Sequence, residues 1–339
     1  MNNAMTNQVA ICIPTYNQAQ YLLESVGSAC QQTYPNIEVW VCDDASTDET
    51  PEVMAELCQQ FPQVRYHRHP HNLGIAGNNN WLLSQPKTEF IVRLDSDDIL
   101  APDYVGKLLK LLSEHPKAAY AHAAVQEIDE HGKPTRLRQL GSRSQFQNDE
   151  EAMRASTSGY RVAANICMFR SIVLHQLGFY RTGLNFGEDW DLSVRIADAG
   201  WGNVYSPEVL ASYRFWVDAG QVRAKRKQTE LSGIIQVYSL SIQPAFERRG
   251  WNTEIIQRQR CQMALNYAIA LDSPVYTEVD KTTIVELLQQ MGDSQALQRR
   301  IKLMRWGFGS YFRWQSSVKL KLKDSFKQGL TALHNHGII

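Results

Sequence analysis

Four times within its first hundred residues the chain repeats one pattern: a short apolar run stops at a polar or acidic turn and gives way to apolar residues at helical spacing. Residues 9–13 are closed by Pro14-Thr15-Tyr16-Asn17, after which Tyr21-Leu22-Leu23, Val26 and Ala29-Cys30 recur with a helical period. Residues 37–42 end in Asp43-Asp44-Ala45-Ser46-Thr47-Asp48, with a helix expected over about residues 51–60 and Thr47 or Asp48 as its N-cap. Residues 64–68 lead through Asn72-Leu73-Gly74 into a helix carrying Ile75, Trp81, Leu82 and Leu83, and Phe90-Ile91-Val92 ends in Arg93-Leu94-Asp95-Ser96-Asp97-Asp98. Strands this apolar are buried on both faces, so the succession predicts an α/β fold with a mostly parallel central sheet and helices on both sides.

The pattern continues with a helix over 102–113, a strand over 118–128 and a turn at Glu130-His131-Gly132-Lys133-Pro134. Residues 141–159 are polar and long for a connection, as in a linker or a lid over a site. Strand character returns over 162–173, the helix after Glu188-Asp189-Trp190-Asp191 ends at Gly200, and 204–213 finishes the sheet. Beyond Trp216 only amphipathic helical runs follow, which divides the chain into an α/β domain over 1–217 and a helical domain over 218–339.

Composition narrows the class. A hydrophobic share of 43% marks a folded chain, and equal numbers of basic and acidic side chains, 35 of each, leave no global field to draw nucleic acid. The charge is unevenly spread. Between Arg299 and Lys327 nine Lys or Arg face the single acid Asp324, so the rest of the chain is mildly acidic. Six cysteines without paired short spacing suit a reducing compartment, and no window approaches 18 uninterrupted apolar residues. A cytoplasmic protein is expected, with peripheral attachment to the inner face of a membrane compatible with the basic tail.

The acidic turns carry the chemistry. In a parallel sheet, Asp43-Asp44 and Asp95 to Asp98 share the carboxyl edge at which ligands of open α/β sheets bind. Adjacent carboxylates repel unless a cation or a raised pKa relieves them, and Mg2+ or Mn2+ takes oxygen ligands while sharing substrate phosphates. Helix capping explains the same residues equally well. Glu188-Asp189 forms a third pair near Phe186 and Trp190, an apolar wall that could raise a carboxyl toward the pKa of a general base; it also suits the first turn of a helix.

In order and spacing, Pro14-Thr15-Tyr16-Asn17, Asp43-Asp44-Ala45-Ser46-Thr47-Asp48, Asn72-Leu73-Gly74, Asp95-Ser96-Asp97-Asp98 and Glu188-Asp189-Trp190-Asp191 resemble the motifs of inverting family 2 glycosyltransferases with the GT-A fold. The resemblance covers about residues 9–213. It implies transfer of a hexosyl group (EC 2.4) from a nucleotide-diphosphate sugar of UDP type to a saccharide, lipid-linked or other hydroxyl acceptor, in polysaccharide or glycoconjugate synthesis. It assigns Pro14, Thr15, Tyr16 and Asn17 to the turn cradling the nucleotide, with Asn72, Gly74 and Ser96 beside it, and likens Asp44 to a carboxylate that receives the base N–H. The same resemblance implies that Asp95 approaches the ribose or the metal, that Asp97 is the direct ligand of Mn2+ or Mg2+, and that Asp189 matches the family's catalytic base with Glu188 its neighbour in the acceptor site.

Two departures stand out. Relatives often place a His shortly after the Tyr-Arg pair, whereas Tyr213-Arg214 is followed here by Phe215-Trp216-Val217. The helix after Gly74 carries Asn78-Asn79-Asn80 where a basic residue is frequent. A non-catalytic nucleotide-sugar-binding scaffold is the alternative; a nucleotidyltransferase would need a Gly-rich, basic phosphate loop that Pro14 to Asn17 lack. His67, His69 and His71 alternate along a strand and are expected as solvated edge residues. In the tail, Met304, Phe308, Tyr311 and Phe312 share a helical face, which suits docking on the catalytic domain or contact with an anionic bilayer over 299–327.

Overall fold

The computed structural model describes residues 7–140, 145–184, 186–215 and 226–312. β1 (Val9–Thr15), β2 (Ile37–Asp43), β3 (Val64–Arg68) and β4 (Phe90–Arg93) run parallel in the order β3-β2-β1-β4, joined by α1 (Ala19–Cys30), α2 (Thr50–Gln60) and α3 (Gly74–Ser84). Side chains alternate along β1, so one strand feeds two cores. Val9, Ile11 and Ile13 pack with Leu22 and Val26 of α1 and Met54 and Leu57 of α2, while Ala10 and Cys12 pack with Leu82 and Leu83 of α3.

Past β4 the sheet becomes mixed. The chain adds β5 (Ile99–Leu100), α4 (Tyr104–Glu114), β6 (Ala118–Ile128), β7 (Pro134–Arg138), β8 (Phe146–Gln147), α5 (Asp149–Ser156), β9 (Cys167–Arg170), α6 (Ser171–Leu177), α7 (Glu188–Asp198) and β10 (Gly202–Arg214). The order continues β4-β9-β6-β10-β5, with β9 antiparallel to both β4 and β6 and β10 parallel to β6.

Two local expectations differ from this. The strand expected over 162–173 is confined to Cys167–Arg170, because Ser171 already begins a helix. Of the polar stretch 141–159, residues 141–144 lie outside the described residues, and the remainder contains β8 and α5. Asn148 and Glu151 cap α5 reciprocally, at 2.9 and 3.0 Å, so the polarity that reads as loop is partly that of a helix start.

The described residues fall into two compact units: residues 7–215 with Gln236–Trp251, and residues 226–235 with 252–312. Gln236–Trp251, expected in the helical domain, belongs with the first unit. Its π-helical turn Tyr238–Ile242 buries Tyr238 edge-on against Trp190 of α7, and Arg249 donates to the Ala197 carbonyl at 2.9 Å. Among the described residues no helix is long and apolar enough to cross a membrane.

Candidate active site

The parallel register Thr15↔Asp43 and Cys12↔Arg93 sets the ends of β1, β2 and β4 on one edge, and the turns that follow line a cavity of about 530 Å3. Pro14, Thr15 and Tyr16 stand on its wall after β1, Asp44 after β2, and Asn72 and Gly74 at the entry to α3. Asp95, Ser96 and Asp97 follow from β4, and Glu188 and Asp189 from the start of α7. Asn17 is the exception among the expected site residues. It is absent from the wall, and with a positive φ of 53° it ties two turns together: its N–H donates to Ser46 Oγ at 2.9 Å, and its side-chain oxygen accepts from the Thr47 N–H at 2.8 Å. The N-cap position of α2 falls on Glu49, just beyond the expected Thr47 or Asp48, and its side chain makes no capping bond. Asp48 receives the N–H groups of Thr50 and Ala19, both at 3.1 Å, and so links the starts of two helices.

The pair Asp43-Asp44 divides its work. Asp43 is fully buried and accepts from the Ser46 N–H at 2.8 Å, the Tyr66 hydroxyl at 2.9 Å and Arg68 Nε at 3.2 Å, so its lone pairs are spent on the scaffold. Asp44 faces the cavity. Its two oxygens each accept one backbone N–H from the first turn of α3, Leu73 at 2.7 Å and Gly74 at 3.0 Å, which fixes the carboxylate and leaves each oxygen a further lone pair for a ligand.

At the end of β4 the guanidinium of Arg93 is buried and forks onto both oxygens of Asp95, at 2.7 and 3.3 Å. Its Nε donates to Asn79 at 3.3 Å and Nη1 also donates to the Asn165 carbonyl at 3.2 Å. Burial alone would lower the Arg93 pKa, but the charges of Asp95 and Asp189 carry it well above the ordinary value. Asp95 is therefore held by a cation of the protein's own, whereas Asp97 lies beside it on the wall and its carbonyl accepts from Arg214 Nε at 2.9 Å. Asp98 points away, is fully buried and accepts the Arg214 N–H at 2.8 Å; burial first, then Asp97 and Asp95, push its pKa well above the usual range.

α7 begins at Gly187, whose φ of +84° and 3.2 Å approach to Val237 leave no comfortable place for a side chain. The first turn then splits like the others. Asp191 is fully buried, with Arg195 Nε at 2.7 Å, Arg181 Nε at 3.3 Å and the Ser241 hydroxyl as donors. Asp189 faces the cavity, and burial raises its pKa, offset by Arg93 and by a hydrogen bond from Tyr180, with Asp95 adding to the rise. Glu188 is raised by burial and by the Asp189 charge. Trp190 does not form the expected apolar wall beside them. Trp190 turns inward and donates to the Ser156 carbonyl at 3.0 Å, and the phenols of Tyr180 and Tyr160 stand near Asp189 instead.

The asparagines of α3 have separate structural duties. Asn78 donates to the Cys42 carbonyl at 3.2 Å, Asn79 receives Arg93, and Asn80 exchanges bonds of 2.8 and 2.9 Å with the backbone of Tyr180. Arg93 and Tyr180 join the site without being among the expected residues; a charge at the end of a fully buried strand is the sequence signal for Arg93. The histidines depart from expectation too. His69 is buried with its Nε2 3.3 Å from Cys42 Sγ, His67 stacks on Trp81 at 3.9 Å, and only His71 is exposed. Among the described residues no group of three or more His, Cys, Asp or Glu is placed to hold a metal ion by itself.

Residues 10–177 match the family described as Glycosyl transferase family 2. The chain carries a family 2 glycosyltransferase domain. It is 31% identical over 192 residues to chondroitin synthase of Pasteurella multocida strain Pm70 and to hyaluronan synthase of Pasteurella multocida, alignments that cover 57% of this chain and 19% of each relative. The chain thus spans about a fifth of the length of these curated relatives. Among solved structures, the family 2 domain and its helical region are similar to the mannosyltransferase PcManGT from Pyrobaculum calidifontis in complex with GDP-Man and Mn2+, with a TM-score of 0.57, 18% identity and coverage of 91% of this chain and 86% of that one. They are also similar to residues 1–349 of S. aureus TarS in complex with UDP, with a TM-score of 0.51, 17% identity and coverage of 88% and 92%. These likenesses establish the GT-A architecture, a mixed α/β sheet with flanking helices and a C-terminal helical region.

Proposed function

We propose that this chain is an inverting, metal-dependent glycosyltransferase that moves a sugar from a nucleotide-diphosphate sugar, of UDP type, to a hydroxyl acceptor in polysaccharide or glycoconjugate synthesis. The observation that carries the reading is the meeting of Asp44, Asp97 and Asp189 on the wall of one cavity. The relatives named as chondroitin and hyaluronan synthases, and the similar structures holding UDP or GDP-Man with Mn2+, support the donor class and the polymer context.

In this reading Pro14, Thr15 and Tyr16 form the floor for the nucleotide, and the fixed Asp44 carboxylate accepts from its base. Asp95, already gripped by Arg93, is suited to receive ribose hydroxyls, which leaves Asp97 as the oxygen ligand for Mn2+ or Mg2+. Because the described residues gather too few ligands to complete a coordination sphere by themselves, Asp97 would hold the ion together with the donor diphosphate, as suits a hard cation that takes phosphate oxygens. When bound, it supplies neutralisation of the leaving diphosphate. Asp189 takes the proton of the acceptor hydroxyl while that oxygen bonds to the anomeric carbon; the bond from that carbon to the diphosphate breaks, its electron pair leaves with the diphosphate, and the configuration inverts. Glu188 lies beside the base on the acceptor side, and Arg93 grips Asp95 while its charge acts on Asp189.

Calorimetric titration with UDP and GDP, with Mn2+ and with chelator, tests the assignment. Binding is expected to need the metal and to weaken at least about tenfold in Asp97→Ala, as for a lost ligand. Metal-independent binding that Asp97→Ala leaves unchanged would remove Asp97 from the donor site. Release of pyrophosphate, instead of a nucleoside diphosphate, from nucleotide sugars would point to nucleotidyl transfer.

A further inference from the structure

The helix Gln295–Arg305 buries Leu297, Ile301 and Met304 within its own unit, packing on the helix Glu254–Tyr267 and the turn Ala268–Asp272. On its outer side Arg299, Lys302 and Arg305 are exposed at intervals of three. The helical stripe expected to join Met304 to Phe308 and Tyr311 is broken after Arg305. Gly307 takes a φ of +81°, its N–H donates to the Met304 carbonyl at 3.0 Å, and the Phe308 N–H reaches back to Leu303 at 3.1 Å. That paired cap ends the helix and reverses which side of the chain faces inward. Met304 is buried, whereas Trp306 is 71%, Phe308 48% and Tyr311 52% exposed. Gly309 in turn lies so close to the Asp272 carboxylate that a side chain would not fit, so the turn rests on its glycine with the rings outward.

Nowhere else among the described residues do three large exposed apolar side chains fall within six positions. The sequence from Ser294 to Lys323 contains no acid; of the acids before it, Asp293 accepts from Gln298 at 2.5 Å and the carboxylate of Asp272 lies against Gly309. We propose that this face, Arg299, Lys302, Arg305, Trp306, Phe308 and Tyr311, docks the protein on an anionic lipid bilayer. The rings enter the headgroup region, where an amphipathic aromatic is most favourable, and the three cations meet lipid phosphates. A second copy of the chain is the wrong occupant for a self-complementary contact, because a two-fold axis through the patch would bring like charges together. The surface holds independently of what the acidic cavity transfers.

Flotation of the full chain with vesicles tests this. Binding is expected to phosphatidylcholine vesicles containing phosphatidylglycerol, to be absent from phosphatidylcholine alone, and to fall as salt shortens the screening length. Replacing Arg299, Lys302 and Arg305 together by Gln is expected to lower the partition roughly 100-fold, at about fivefold per basic residue. Trp306→Ala with Phe308→Ala is expected to reduce it as well, at unchanged urea midpoint because all these side chains are exposed. The sequence beyond 312 carries five further bases, Arg313, Lys319, Lys321, Lys323 and Lys327, so the variants matter. Failure of the wild type to float with anionic vesicles overturns the proposal. So does floating that neither variant weakens, equal binding to neutral vesicles, or a dimer seen by light scattering that these substitutions dissolve without any vesicle binding.

Discussion

The turn after β4 and the first turn of α7 both begin with acids that face the cavity and end with one turned into the protein, yet they settle the inward charge differently. Asp191 is met by two arginines, Arg181 and Arg195, and by the Ser241 hydroxyl. Asp98 has one backbone N–H, from Arg214, and no partner on its second oxygen among the described residues. Counter-cations at the start of α7 go to the inward carboxylate; in the turn after β4, Arg93 goes to the outward Asp95 and burial drives the inward acid toward its neutral form. An acidic motif in this chain is thus a pair of unlike groups, an anchor and a ligand-facing acid, sorted by where the arginines fall.

The contrast predicts that the two ends of α7's first turn fail in different ways. Asp189→Asn keeps the shape and removes the base, so turnover is expected to drop by roughly 10^2 to 10^4, with the affinity for nucleoside diphosphate and Mn2+ unchanged. Turnover within a few-fold of wild type would dismiss Asp189 as the base. The wild-type pH profile carries the same information. A base must be ionised to accept a proton, and burial raises the Asp189 pKa, so the rate is expected to fall with decreasing pH along a limb lying above the ordinary aspartate value of about 3.9. Burial sets the direction, Arg93 and the Tyr180 hydrogen bond oppose it and Asp95 adds to it.

Asp191→Asn is expected to spare the chemistry and attack the fold. It leaves Arg195 and Arg181 without their anion in a site that water does not reach from the Asp191 side, and losing one partner of such a buried pair costs about 3 kcal/mol. Urea unfolding monitored by near-ultraviolet circular dichroism would show it. A change below about 1 kcal/mol would mean the arginines are solvated well enough to stand alone, and the anchor would lose its meaning.

Much of this arrangement is legible in the sequence, for a physical reason. Apolar runs bounded by acids fix where strands end, and a parallel register then brings Pro14, Asp44 and Asp97 to one edge whatever the details. What is not legible is which member of an acidic pair looks outward, because that depends on arginines brought in from Arg68, Arg181 and Arg214, each on another element. The same holds for His67, whose partner Trp81 is supplied by α3, and for β9, whose antiparallel insertion leaves no mark in four residues. The capping pair Asn148 and Glu151 is a different kind of miss. It is entirely local, and its polarity resembles that of a loop because no apolar period surrounds it.

The smallest expected effect is the sharpest check on the contrast. If Asp98 is held in its neutral form, a neutral amide of the same shape should replace it almost without loss: Asp98→Asn keeps an oxygen to accept the Arg214 N–H and no longer asks the interior to hold a charge. Against this stands the amide's second donor, which finds no acceptor where the carboxyl oxygen found no donor. The two are of similar size, so the net change in unfolding free energy at neutral pH is expected to be about 1 kcal/mol or less, clearly below that of Asp191→Asn. A loss as large as at Asp191 would show that Asp98 is ionised and that Arg214 serves it as a counter-cation. The turn after β4 would then be built like the first turn of α7, and the distinction between an anchor paired with arginine and an anchor kept neutral would fall.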